Sequence, residues 1–215
     1  MRVLPAGVIF FLLSLFNISA VFAFQSGKIE YTVPIDYSVF DENALNNESE
    51  NLFKMYLNSS DEFEKGEMLN KLLSNYSILS KINKDNPLYF VRLGIIYDKL
   101  GKDRYAKSNF CRGANLVPDY PYAFFSYGSY FFARSEYRKA LREYLRAYNC
   151  GYNKNLDNLY HIAIIYEKLG DYSSAIKYYS AAFDCQNKPE TAEKIQKLNE
   201  LLKINSLYNE NRRRQ

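Results

Sequence analysis

Few side chains in this sequence could carry covalent or metal chemistry. One histidine, His161, and three cysteines, Cys111, Cys150 and Cys185, are all it offers as imidazole or thiolate ligands. Zinc sites draw on such groups in clusters with short spacings, and these four fall in separate segments without any. No Gly-rich phosphate loop follows a strand-like run, and no G-x-S-x-G elbow occurs. Carboxylates are plentiful, with 24 Asp and Glu, but glycoside hydrolysis needs two of them flanking one bond. No spacing singles out a pair. His161 lies inside an apolar, helix-periodic run and reads as a packing residue. The expectation is a protein that is not an enzyme and uses no metal and no cofactor.

The residues that do recur are packing residues, and they define the elements. Phe90-x2-Leu93-Gly94-x2-Tyr97 is followed by Ala106-x3-Phe110 and Pro118. At a spacing of 34 comes Phe124-x2-Tyr127-Gly128-x2-Phe131 with Ala140-x3-Tyr144. At a further 35 comes Leu159-x2-Ile162-Ala163-x2-Tyr166 with Ala175-x3-Tyr179. Gly94, Gly128 and Ala163 are small where a second helix must come close, and Ala106, Ala140 and Ala175 answer them from that helix. Tyr97, Phe131 and Tyr166 fill the space between. Gly101 and Gly170 stand where each first helix stops, and Ser135 holds that place in the second copy. The extra residue before the third copy falls in Gly151-Tyr152-Asn153-Lys154-Asn155, a loop composition. A period of this length predicts stacked helical hairpins, each burying its core only against its neighbours.

This pattern resembles the tetratricopeptide repeat, W-x2-L-G-x2-Y, A-x3-F and a closing P. The departures are Phe90 for the Trp, Tyr152 where Pro would fall, Ala163 for the Gly, and Pro189 two residues late. The resemblance implies an all-α fold, a helical-hairpin stack or α-solenoid, with repeats over 86–118, 119–152 and 153–187. It also implies a partner groove on the concave side, lined by the first helix of each hairpin. Its positions here are Leu88, Val91, Ile95 and Asp98, then Tyr122, Phe125, Ser129 and Phe132, then Asp157, Tyr160, Ile164 and Glu167. That groove is apolar and aromatic with an acidic rim. It lacks the Lys/Asn arrangement with which chaperone-binding members hold a C-terminal carboxylate. An extended or amphipathic helical segment with apolar anchors suits it better.

The flanks read differently. Arg2 and an apolar run ending in Val21-Phe22-Ala23 predict a secretory signal peptide over 1–23, cleaved before Phe24. The alternative is an uncleaved membrane anchor through 3–24. Residues 24–45, rich in β-branched and aromatic residues around Pro34, read as an extended arm or edge strand. The pattern turns helical from about Glu42. The segment 46–85 reads as helical and as a possible decayed repeat, because Tyr76 lies 34 residues before Phe110. Pro189 opens a capping helix over 188–205 with a stripe of Ile195, Leu198, Leu201 and Leu202. Residues 206–215 read as a disordered tail.

Charge divides unevenly. Residues 24–85 carry 6 basic and 11 acidic residues, net −5, and 86–215 carry 21 and 13, net +8. The overall +4 gives no reason to expect nucleic acid. Cys150 and Cys185 occupy equivalent places in adjacent repeats. Packed helices lie about 8–10 Å apart, beyond the ~7 Å between Cα atoms that a disulfide spans, so that pair is not expected. Cys111 with Cys150 stays open, as does a role for all three as small core residues. Asn47, Asn58 and Asn75 each begin an N-x-S acceptor pattern.

Together these features predict an exported protein, periplasmic or secreted, that acts as a noncatalytic adaptor or scaffold of the cell envelope and binds protein partners. Membrane contact is expected only if the N-terminal segment stays uncleaved. Two other readings remain: a subunit or hydrolase with its site in residues 24–85, and a structural homo-oligomer. The groove is either free or covered by the arm or a second copy.

Overall fold

The structure is a computed structural model and describes residues 36–213. The signal-peptide and anchor readings, and residues 24–35 of the arm, lie outside the described residues. Where the arm enters them it is not extended. Tyr37–Val39 form one 3-10 turn, capped by the Asp36 carboxylate, which accepts from the Ser38 N–H at 3.0 Å. Nine α-helices follow among the described residues: α1 (Glu42–Asn58), α2 (Glu62–Ile82), α3 (Pro87–Lys99), α4 (Asp103–Leu116), α5 (Pro121–Ala133), α6 (Tyr137–Asn149), α7 (Leu156–Lys168), α8 (Tyr172–Cys185) and α9 (Pro189–Arg213). A second 3-10 turn, Tyr152–Lys154, absorbs the extra residue of the third copy.

The helix starts follow their caps. Asp41, Asp61, Asn86, Asn155 and Asp171 each accept a backbone N–H of the first turn, which satisfies a donor that no helix bond reaches. Because Asp41 caps α1, that helix begins at Glu42 and takes in the last four residues assigned to the arm. Pro87 and Pro121 occupy first-turn positions, where a missing N–H costs nothing.

The stops repeat. The Lys102 N–H donates to Tyr97 O at 2.8 Å, Glu136 to Phe131 O at 3.0 Å, and Asp171 to Tyr166 O at 2.9 Å. Each closes a Schellman turn through a residue with positive φ: Gly101 at 68°, Ser135 at 58° and Gly170 at 79°. The turns fold α3 on α4, α5 on α6 and α7 on α8, and each second helix packs on the next first helix.

The approach of paired helices depends on the small residues. A methyl group on Gly94 would lie 2.8 Å from the Phe110 ring. Phe110, Tyr144 and Tyr179 are buried large side chains at equivalent places. Two apolar clusters run end to end. One joins α1, α2 and α3 around Leu72, Tyr76 and Ile96, and the other runs from Val91 to Leu198.

The N-terminal hairpin departs from the period. Tyr76 is fully buried on α2, in register with Phe110. However, α2 is 21 residues long against 14 for α4, and its extra turns push α1 out of phase. At the other end α9 runs to Arg213, so residues 206–213 are helical and not a disordered tail. No Gly or Pro after Pro189 interrupts the helix.

Candidate partner-binding groove

The first helices of successive hairpins form one face. α3 packs beside α5, and side chains bridge the remaining steps. Arg92 on α3 joins three neighbours. Its Nε and NH2 donate to the two Glu50 oxygens at 2.8 and 2.6 Å, and its NH1 donates to Tyr122 Oη at 2.8 Å. Its guanidinium lies 4.2 Å from the Phe53 ring centroid. Glu50 also accepts from Tyr76 Oη at 2.6 Å. Burial pushes the Glu50 pKa up. The hydrogen bonds from Arg92 and Tyr76 and the Arg92 charge outweigh that and hold it below the usual carboxylate range. Glu42 likewise accepts from Asn83 and Tyr89. Both carboxylates tie helices together.

The twelve expected groove residues separate into distinct environments. Val91 is fully buried and stands against Gly113, so it does not line a groove. The close approach of α4 at Gly113 turns this position inward. Leu88 is half-buried on the N-terminal cluster. Ile95, Asp98, Tyr122, Phe125 and Ser129 do come together, with Lys99, Tyr130 and Ala133, around a cleft of about 340 Å³ between α3 and α5. Ile164 and Glu167 line a second cleft of about 400 Å³, whose far wall is Lys194, Lys197, Leu198 and Leu201 of α9.

Between the clefts the face is filled. The His161 ring lies 5.9 Å from Phe125, 5.0 Å from Phe132 and 5.0 Å from Tyr144, centroid to centroid. Its Nδ1 is 2.6 Å from the Asp157 carbonyl; the Asp157 residue itself is exposed. Ser129 Oγ accepts from Tyr144 Oη at 3.1 Å and donates to Phe125 O at 3.0 Å. Tyr160 packs on Tyr179 and meets the Thr191 hydroxyl of α9.

The acidic rim is largely neutralised. Asp98 pairs with Arg134 NH2 at 2.6 Å. Asp103 joins them, accepting from Tyr130 Oη at 2.8 Å and Arg134 Nε at 2.9 Å. The Tyr130 bond, with Arg134 beside it, holds the Asp103 carboxyl below its ordinary range. Glu167 accepts from Tyr179 Oη at 2.8 Å and faces Lys194 at 3.3 Å. With Lys168 and Lys197 beside it, the second cleft is basic.

Sequence reasoning missed Arg92 and Arg134, whose acidic partners lie 42 and 36 residues away with no local signal. It also missed a recurrence that was present. Arg112 covers Phe90 at 4.0 Å, and Arg146 covers Phe124 at 4.0 Å, both at a separation of 22 residues. The cysteines are free; Cys111 and Cys185 are exposed and Cys150 is half-buried. Exposure at Cys111 and Cys185 overturns the core reading for those two, because they sit on the outer faces of α4 and α8. Asn75 is buried, which removes it as a glycan acceptor.

No protein-family model and no curated protein matches the chain. Solved structures do. MamA from Desulfovibrio magneticus RS-1 superposes with a TM-score of 0.58 at 15% identity, over 75% of this chain and 85% of that one. Pseudomonas aeruginosa PilF gives 0.58 at 11% identity, over 74% and 71%. YrrB, described as a tetratricopeptide protein with an unusual peptide-binding site, gives 0.53 at 21%, over 76% and 91%. The fold is a tetratricopeptide-type α-solenoid. At these identities the likeness extends to the fold alone.

Proposed function

We propose that this chain is a noncatalytic interaction scaffold that holds a segment of a protein partner across its first-helix face. The observation that carries the reading is the cleft between α3 and α5. Five of the twelve expected groove residues converge there, and its walls present the half-buried rings of Tyr122 and Phe125. Half-buried aromatic side chains in a recess are the usual carriers of binding energy. The peptide-binding site named for YrrB is a precedent on the same fold. The His161 box divides the face, so the partner is engaged at two separated anchor points rather than along one trough.

Export through residues 1–23 and work in the cell envelope belong to the same proposal. They rest on Arg2, the apolar run and Val21-Phe22-Ala23. Intact mass of the protein from its native host tests this: loss of residues 1–23 supports it, and a retained Met1 in the membrane fraction contradicts it.

The binding face is tested with a photoreactive side chain at Ala133, on the rim of the cleft, and in a separate variant at Lys107, exposed on the second helix α4. In the native host the Ala133 probe is expected to capture a discrete partner and the Lys107 probe to capture none. The reverse pattern would move the site to the second-helix side.

A further inference from the structure

Among the described residues, Tyr105, Val117 and Leu169 are large apolar side chains exposed singly along the repeats, while the others gather at the two ends of the stack. The N-terminal hairpin exposes Met55 at 61%, Leu57 at 62% and Phe63 at 79%. The last helix exposes Ile204 at 60%, Leu207 at 52% and Tyr208 at 66%. Both groups sit on overhanging helix ends. α2 has 21 residues and packs on α3, which has 13. At 1.5 Å per residue its N-terminal end, together with the end of α1, extends about 12 Å past α3. α9 has 25 residues against 14 in α8, so it overhangs by roughly 16 Å.

The topology puts both overhangs on one edge. The α1–α2 turn lies on the same edge as the turns at Gly101, Ser135 and Gly170. α9 runs antiparallel to α8, hence in the direction of α7, and ends at that edge too. The charges around the two apolar groups are opposite. On the first overhang Asp61, Glu62, Glu64 and Glu67 outnumber Lys54 and Lys65, and on the second Lys203 and Arg212 are exposed.

We propose that a second copy of this chain covers these surfaces, in a two-fold dimer whose edges face each other. The α9 overhang of each copy then meets the α1–α2 overhang of the other. Because both surfaces lie on one edge, a two-fold axis makes the contact twice and closes the assembly. The opposite charges select this pairing over like with like. None of the residues named in this contact lines the clefts of the first-helix face.

Sedimentation and light scattering of the full chain across a dilution series test this. The expected mass is twice that of one chain, with dissociation promoted by added salt, which screens the charges. Phe63→Lys and Ile204→Asp change exposed positions, and circular dichroism is expected to show both variants folded. Each alone is expected to be monomeric. Mixed in equal amounts they are expected to recover the dimer, because one contact is then wild type on both sides and the other joins Lys to Asp. A wild-type chain that stays monomeric, a variant that stays dimeric alone, or a mixture that stays monomeric would each overturn the proposal.

Discussion

A methyl group added to Gly128 would lie 2.9 Å from Cδ1 of Tyr144. Tyr144 has no room to retreat, being fully buried and hydrogen-bonded to Ser129. The absence of a side chain at Gly128 therefore sets how closely α5 and α6 pack. Gly128→Leu is expected to destabilise the protein by about 1–3 kcal/mol, the usual cost of overpacking. Gly66 is the control: it sits inside α2 with open space around its Cβ direction. Gly66→Ala is expected to stabilise by about 0.5–1 kcal/mol through helix propensity. Urea midpoints measure both, and equal effects of the two changes would contradict the packing argument.

Ser135 adopts φ 58° at a stop where the equivalent residues are glycines. A side chain in the left-handed region costs roughly 1–2 kcal/mol, partly offset by the greater freedom of glycine in the unfolded chain. Ser135→Gly is expected to raise the melting temperature, and Ser135→Val to lower it. A Gly variant that melts lower would show that Ser135 makes a compensating contact.

The hairpin stack was legible because its determinants are local and periodic. Gly94 with Phe110, Gly128 with Tyr144 and the three helix stops recur at fixed separations, so each copy supports the others. The ends were harder to read. α2 carries extra turns that throw α1 out of phase, and α9 continues because nothing in its sequence stops it. The face was legible only in part. The resemblance implied Tyr122, Phe125 and Ser129 as groove residues but could not show that α4 closes over Val91. Nor could it show that Arg134 neutralises Asp98, since contacts between distant helices leave no mark on spacing.

Glu50 gives the fold a dependence on acid. Its folded pKa lies below the ordinary 4.5, so its contribution is fully present above that value and falls as pH drops through the folded pKa. Glu50→Gln is expected to be less stable than wild type at neutral pH, because Arg92 is then left without its counter-charge. It is also expected to lose less stability on acidification. Denaturant curves at neutral and acidic pH measure the difference, and parallel losses in the two proteins would show that Glu50 does not carry the effect.

The cysteines should differ in reactivity. Cys111 and Cys185 are exposed, while Cys150 is half-buried with its Sγ 3.4 Å from Pro118 O. A thiol-exchange reagent added to the native protein is expected to modify two thiols quickly and the third slowly. Three equal rates would contradict the placement of Cys150.

The central claim is that a partner segment is held in the cleft between α3 and α5. Ala133 lies on the rim of that cleft and is exposed, so Ala133→Arg obstructs it without removing a packing contact. The decisive measurement is the dissociation constant for the captured partner with wild type and with this variant. The account predicts an unchanged melting temperature and at least tenfold weaker binding, about 1.4 kcal/mol. A folded Ala133→Arg protein that binds its partner as tightly as wild type would contradict it.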